Sequence, residues 1–457
     1  MEETTEKTVI NVRRPSKKHH MTIHWLDYVD DKTIKAKDAS LRERTMLVGH
    51  IGLMMLSYGT GAWRVLDSMN TVARELGLTC TADIGLVSLN YTCFEGNENY
   101  AMSLALPTTA VNTDKLNLIE NFVKDFHEKG SEMTLQEIHA ELSQIQSKKG
   151  NYSALQAGLA AGIACFGFTF LLGGGLIEMI CTFIGAFGGN FIRRKMIDKH
   201  ISLFPCIIVS VALACILATA SYKIGETAFG IDLQHEAGYI CAMLFIIPGF
   251  PLITGGIDLA KSHMRSGIER MVYAVMIIVV ATVTGWCIAT FLKIAPQDFM
   301  KLELTDFQRV SLRLICSFLG VFGFSEMFNS PRKMAFTAGI IGMIANTLRL
   351  ELVTLFGLEG GIAAFIGALT AGLLASVVNS KHHYPRISLS VPSIVIMVPG
   401  MYLYRGIYLL GASDIKHLNV IGGGAEWLVN GIFMIIALPL GLVVARVLTD
   451  KKFRTTN

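Results

Sequence analysis

Charge is scarce in this chain. Asp, Glu, Lys and Arg make up 17% of its 457 residues while 52% are hydrophobic, and the mean hydropathy of +0.48 lies outside the range of ordinary soluble domains. A surplus of one sign is almost absent too: 40 Lys and Arg face 36 Asp and Glu, a net +4, too little to argue for a nucleic-acid partner. Paired cysteines are missing. The nine cysteines include no CxxC pair, and Cys165, Cys181, Cys206, Cys215, Cys241, Cys287 and Cys316 fall in apolar runs, where a thiol behaves as a small hydrophobe. Neither a disulfide framework, a metal site nor a cofactor is expected. The chain also lacks a phosphate-cradling GxxxxGK[ST] loop, an HExxH, a GxSxG and any zinc-spaced Cys/His set, which removes the usual signatures of nucleotide-driven pumps and hydrolases. Its first twenty residues lack the apolar core and small-residue cleavage site of a signal peptide, so the first domain is expected in the cytoplasm.

Long apolar runs are abundant. Residues 1–40 read as a flexible polar tail, and 41–150 as a small cytoplasmic α+β domain. Its apolar run around His50 is too short to span a bilayer, which takes about 20 residues. AWRVLDSMNTVARELGL has helical spacing and stops at Gly77. Residues 84–94 and 100–106 read as a hairpin around EGNEN, helices follow at 115–128 and from Thr134, and Thr134 with Glu137 forms a capping box. Ten runs then fit membrane helices, at 153–172, 175–192, 202–221, 237–257, 270–291, 309–328, 333–352, 359–379, 388–409 and 425–447. Alternate connections carry the bases Arg193, Arg194, Lys195 and Lys199; Lys261, Arg265 and Arg270; Arg332 and Lys333; Lys381 and Arg386; and Lys451, Lys452 and Arg454. The other loops mix Lys223, Lys293 and Lys301 with Glu226, Asp232, Glu236, Asp298, Glu303 and Asp306. The positive-inside rule therefore places both termini in the cytoplasm.

The membrane region repeats itself. Phe166, Gly167 and Phe168 recur 156 residues later as Phe322, Gly323 and Phe324, and the same offset joins Ile184 to Ile340, Asn190 to Asn346 and Arg193 to Arg349. At an offset of 151, Pro248 and Gly249 match Pro399 and Gly400, and Gly255 matches Gly406. Five helices per copy is an odd number, so the second copy enters from the opposite face. The expected fold is a mainly α membrane protein of about ten transmembrane helices, arranged as two inverted five-helix repeats (151–295 and 305–450) behind the cytoplasmic domain. Inverted repeats are the architecture of secondary transporters.

The stretch IIPGFPLITGGIDL shows where the chemistry is expected. Proline removes a backbone donor and breaks the helix, and in lipid such a break persists only where protein or water satisfies the freed groups. Pro248–Gly249 and Pro399–Gly400 lie near the middle of their runs, which makes these four residues candidates for substrate binding; otherwise they are packing kinks. Asp258 closes the stretch, either as an interfacial acid paired with Lys261 and Arg265 or as a proton carrier or gate. Glu178 and Glu326 are further candidates for coupling or gating, the latter shadowed by Arg332 and Lys333. Asn190 and Asn346 either tie helices together or contact a polar substrate. His200, His263, His382 and His383 sit in inside loops as solvated residues.

These residues resemble the threonine/serine exporter family in its form with both membrane halves on one chain. The likeness covers residues 45–447. It rests on GAWRVLDSMNTVARELGL, GFTFLLGGG and IIPGFPLITGGIDLAKSHMRSGIER in the first half, and on GFSEMFNSPRK, GIIGMIANTLRL and VPSIVIMVPGMYLYRGI in the second. Pro248, Gly249, Asp258, Gly267 and Arg270 fall at the family's recurring places; Thr254, Gly255 and Gly256 stand where it often has Asn or another polar residue. The resemblance implies a plasma-membrane exporter of small amino acids driven by an ion gradient, of protons. Relatives with the halves on separate chains imply a dicarboxylate alternative, for which Arg349 and Arg405 are the candidate cations. A membrane-embedded hydrolase and a passive channel are the competing classes. Expected partners are the bilayer, a small-molecule substrate and a further copy of the chain.

Overall fold

The computed structural model describes residues 23–130, 132–229, 238–294, 299, 302–382, 384–412 and 418–455. Most of the expected tail, the loop residues Asp232, Glu236, Asp298 and Lys301, His383 and the side chain of His382 lie outside the described residues.

The N-terminal domain packs helices against a three-stranded antiparallel meander. Helix α1 (Leu41–Ser57) begins at Ser40, whose side chain forms a capping box with Glu43, and it is almost wholly buried: Leu47, Ile51, Met55 and Leu56 are inaccessible. Each such side chain contributes roughly 1.5–3 kcal/mol by leaving water, which suits a core helix rather than a span. Helix α2 (Ala62–Glu75) ends, as expected, before Gly77, which adopts φ +74°. Strands β1 (Thr79–Ile84), β2 (Ser88–Glu95) and β3 (Glu98–Ala105) follow in order. The hairpin is tighter than EGNEN suggested, since Glu95 pairs with Glu98 and only two residues turn; β1 extends the sheet beyond what the sequence indicated. Helices α3 (Thr113–Asp125) and α4 (Leu135–Ser147) complete the domain, and the Thr134–Glu137 capping box is present. One expectation is corrected. Residues 25–39, assigned to the tail, are part of this core: Trp25 stacks on His50 with ring centroids 4.2 Å apart, and Ala36 is fully buried. A single tryptophan in a polar stretch carries no periodicity, so its anchoring role is invisible in the sequence.

The membrane region runs α5 (Ala154–Leu171), α6 (Leu176–Asp198), α7 (Leu203–Phe229), a bent pair α8 (Gly238–Met243) and α9 (Gly249–Ala260), and α10 (Met264–Leu292). The same order returns as α11 (Asp306–Met327), α12 (Arg332–Phe356), α13 (Gly360–His382), a bent pair α14 (Arg386–Val395) and α15 (Gly400–Ala412), and α16 (Leu418–Thr449), followed by the short α17 (Lys451–Arg454). Eight of these helices are long and apolar enough to cross a membrane, and ten spans result if each bent pair is one. The chain is a mainly α, multi-pass membrane protein.

The two copies meet reciprocally. A Cβ placed on Gly167 of α5 would fall 2.5 Å from the Cys316 carbonyl of α11; one on Gly323 of α11 would fall 2.5 Å from the Ala160 carbonyl of α5. Residue 160 thus meets 323 while 167 meets 316, so these corresponding helices run antiparallel. Small residues allow this close approach, the main source of cohesion where no hydrophobic driving force exists. Phe168 and Phe324, equivalent by the 156 offset, stack edge to face at 6.3 Å beside it.

Candidate functional site: two broken spans and a basic cavity

Both breaks have the same local geometry. The α8–α9 pair bends by 58° and the α14–α15 pair by 49°. The amide of Gly249 donates to Ile247 O at 2.8 Å, and that of Gly400 to Val398 O at 2.8 Å; Leu252 N reaches Pro248 O, and Leu403 N reaches Pro399 O, at 3.1 Å each. The breaks also face one another. Gly249 lies against Val395 and Val398, and Gly400 against Leu244 and Ile247, which are equivalent pairs under the 151 offset. Across this contact Tyr239 and Tyr404, both buried, bring their hydroxyls to 3.0 Å.

The two breaks differ in access. A cavity of about 1200 Å³ reaches Pro399 and Gly400; it is bounded by the C-terminal ends of α5 and α12, the N-terminal ends of α11 and α13, the middle of α16, and the α14–α15 break. Its wall includes Arg309, Arg313, Arg349 and Arg405, with Tyr402 and Trp427 beside them and, among the described residues, one acid, Glu359. Arg313 is held by Glu351 at 2.7 Å, Arg309 pairs with Asp306 at 2.9 Å, and Arg405 lies 5.0 Å over the Trp427 ring. Pro248 and Gly249 do not line this cavity.

The opposite ends of the helices carry the N-terminal domain, and here Asp258 has its place. Asp258 is fully buried. Its carboxylate accepts from the amide of Ala62 at 2.9 and 3.1 Å and from Ser266 Oγ at 2.8 Å, and lies 3.3 Å from Arg270 Nε. Helix α2 has Gly61 at its cap position and no side-chain cap of its own; Asp258, from 196 residues away, satisfies that end and meets its positive dipole. Arg270, buried likewise, donates to Thr60 O at 2.7 Å and Gly59 O at 3.4 Å. The bases expected beside Asp258 are occupied elsewhere: Lys261 Nζ donates to Phe453 O, and Arg265 pairs with Asp83 and Glu269. Two further seams hold the domain. Thr113 donates its amide to Phe328 O at 3.0 Å and meets Ser330 Oγ at 2.7 Å on the α11–α12 corner, and Arg446 near the end of α16 lies 4.4 Å over the ring of Trp63.

The remaining candidates are dispersed. Asn190 Nδ2 donates to Ala157 O at 2.7 Å and Asn346 Nδ2 to Ser317 Oγ at 2.9 Å, each tying the second helix of its copy to the first. Neither lines the cavity. Glu178 is buried in the first turn of α6 under Gly174 and Gly175, and Glu326 sits near the domain seam with Arg332 at 3.9 Å. Arg309, Arg313 and Trp427 were not singled out from the sequence; two arginines four residues apart in the opening turns of an apolar helix were the available signal.

Among the described residues, eight membrane-length helices and two bent pairs whose breaks face one another, with a cavity leading from one face to the second break, define a multi-pass membrane protein of the transporter class. A family model for the threonine/serine exporter matches residues 46–293, and a second, also described as threonine/serine exporter, matches 313–448. The chain belongs to the threonine/serine exporter family. It is 20% identical over 436 residues to a probable threonine/serine exporter of Mycobacterium tuberculosis, covering 90% of this chain and 78% of that protein. A probable succinate transporter subunit of Escherichia coli is 23% identical over 250 residues, 53% of this chain and 92% of the subunit. Pheromone-regulated membrane protein 10 of Debaryomyces hansenii is 21% identical over 312 residues, 63% of this chain and 29% of that protein. No solved structure matches.

Proposed function

We propose that the protein is a secondary active transporter that exports threonine and serine across the plasma membrane at the expense of a proton gradient, with both termini in the cytoplasm. The observation that carries this is the unequal access to two equivalent breaks. The cavity reaches Pro399–Gly400 from the face away from the N-terminal domain, whereas Pro248–Gly249 is packed shut with α9 latched to that domain through Asp258 and Arg270. Two antiparallel, reciprocally packed copies support an inverted repeat, whose halves exchange conformations to expose one site alternately. In that reading the present state is open to the outside, and the N-terminal domain is part of the inner gate. The start of α15 offers backbone amides and a positive helix end to a cargo carboxylate at the break. Tyr402 and the carbonyls freed at the break are the groups available to an ammonium. The basis for a non-enzymatic role is the family itself.

A second reading, export of dicarboxylates such as succinate, is favoured by four arginines against one acid among the described residues of the cavity wall and by the relative named for succinate. The test is efflux from cells preloaded with a threonine-containing peptide, with and without the protein, with an uncoupler, and with succinate as the other cargo. Threonine loss that the uncoupler abolishes is the expected result. Accelerated succinate loss alone moves the substrate to dicarboxylates, and acceleration of neither contradicts the export reading.

A further inference from the structure

Arg349 and Arg193 occupy equivalent positions in the two copies, each three residues after an equivalent asparagine on the second helix. Asn346 and Asn190 anchor those helices alike, by donating to α11 and α5. Both arginines carry an Nε that is buried and makes no hydrogen bond. Arg349 donates from Nη1 to Asn346 Oδ1 at a long 3.4 Å, and among the described residues neither arginine has a carboxylate partner, unlike Arg313 and Arg309. A guanidinium presents five donors in a fork that fits a carboxylate, and a buried donor without an acceptor is costly enough to require a reason. Arg349 opens into the cavity that ends at Pro399–Gly400. Arg193 lies toward the domain-bearing end of α6, where Tyr273 of α10 and Cys206 of α7 are its electrostatic neighbours and α6 packs through Gly189 onto the Ser210 carbonyl of α7.

We propose that Arg349 and Arg193 form a two-station anchor for the cargo carboxylate: Arg349 holds it in the state open away from the N-terminal domain, and Arg193 holds it in the state open toward that domain. The assignment rests on the export reading and on the inverted relation of the two copies. It gives the repeat a chemical content, because the same donor is offered once to each side. Threonine and succinate share the carboxylate that such a fork recognises, so the anchor is common to both cargoes and the choice between them lies with the rest of the cavity.

The experiment is counterflow of labelled threonine and, separately, labelled succinate in right-side-out and inverted membrane vesicles bearing the full chain. Arg349→Gln is expected to raise the half-saturating concentration at the outer face roughly tenfold, the size expected for loss of a charge-assisted hydrogen bond, and to leave the inner face within about twofold. Arg193→Gln gives the mirror result. Arg349→Lys and Arg193→Lys, which keep the charge but not the fork, show smaller shifts on the same sides and serve if a glutamine variant fails to accumulate. A merely structural arginine lowers transport without choosing a side. Equal shifts on both sides, or none, overturn the anchor while transport of either cargo by the unaltered chain keeps the export reading; absence of transport of both cargoes overturns the export reading and the anchor with it.

Discussion

At the scale of single residues, Asp258 ties the N-terminal domain to the membrane region. Its carboxylate is the cap of a helix in another domain and the counter-ion of Arg270, a pair with almost no exposure. Removing one member of such a pair strands the other charge at a cost of about 3–5 kcal/mol. Asp258→Asn and Arg270→Gln are therefore expected to loosen the N-terminal domain to similar degrees, seen as faster protease cleavage before residue 150. The double variant should be little worse than either, since the interaction is shared. A proton carrier behaves differently, with Asp258→Asn abolishing uncoupler sensitivity while the domain stays docked. The histidine pair gives a second residue-scale prediction. His50 and His139 meet through Nδ1 atoms 2.9 Å apart beneath Trp25, and burial lowers their pKa values to about 2 and about 4. Both stay neutral when folded but bind protons below about 6.5 when unfolded, so their contribution is intact above that pH. It is lost on acidification from about 6.5 down to about 4 for His139 and about 2 for His50, by about 1.4 kcal/mol per histidine per pH unit. Thermal melting of the full chain between pH 7 and 5 should show this loss, and His50→Gln should flatten it; a melting profile unaffected by the substitution contradicts the pairing.

The elements show which parts of the structure were legible and why. Each span declares itself through its own composition, and Pro-Gly in mid-run declares a break, because both are local facts. The 156 and 151 offsets are likewise readable, and the matching contacts of Gly167 on α11 and Gly323 on α5, and of Gly249 and Gly400 each on the opposite break, give them their spatial meaning. What stayed hidden depends on partners distant in the chain: Asp258 looked like a neighbour of Lys261 and Arg265 but belongs to Ala62, and Trp25 looked like tail but belongs beside His50. The α5–α11 contact supplies the test at this scale. A methyl group on Gly167 or Gly323 meets backbone carbonyls at 2.5 Å, which cannot rotate away as a side chain can. Gly323→Ala should force the helices apart and destabilise the detergent-solubilised protein by roughly 1–3 kcal/mol, whereas Gly422→Ala, where nothing lies nearby, should leave its melting temperature unchanged. Equal melting of the two variants would sink the close-packed seam.

For the whole molecule, the proposed export requires that equivalent breaks be exposed to opposite faces in turn. Met401, just after the second break, borders the cavity, while Phe250, its equivalent after the first, does not; both are buried, at 5% and 1% exposure. The resting state is thus predicted to be lopsided, and transport to reverse it. The direct measurement is labelling of Met401→Cys and Phe250→Cys by a membrane-impermeant thiol reagent applied from one side at a time, with the unaltered chain as the blank, at rest and during threonine efflux. The account predicts that Met401→Cys reacts from the outer face at rest and is shielded in part during efflux, while Phe250→Cys reacts from the inner face only during efflux. Reaction of Met401→Cys from both faces at once, or of Phe250→Cys under no condition while threonine flows, would contradict alternating access.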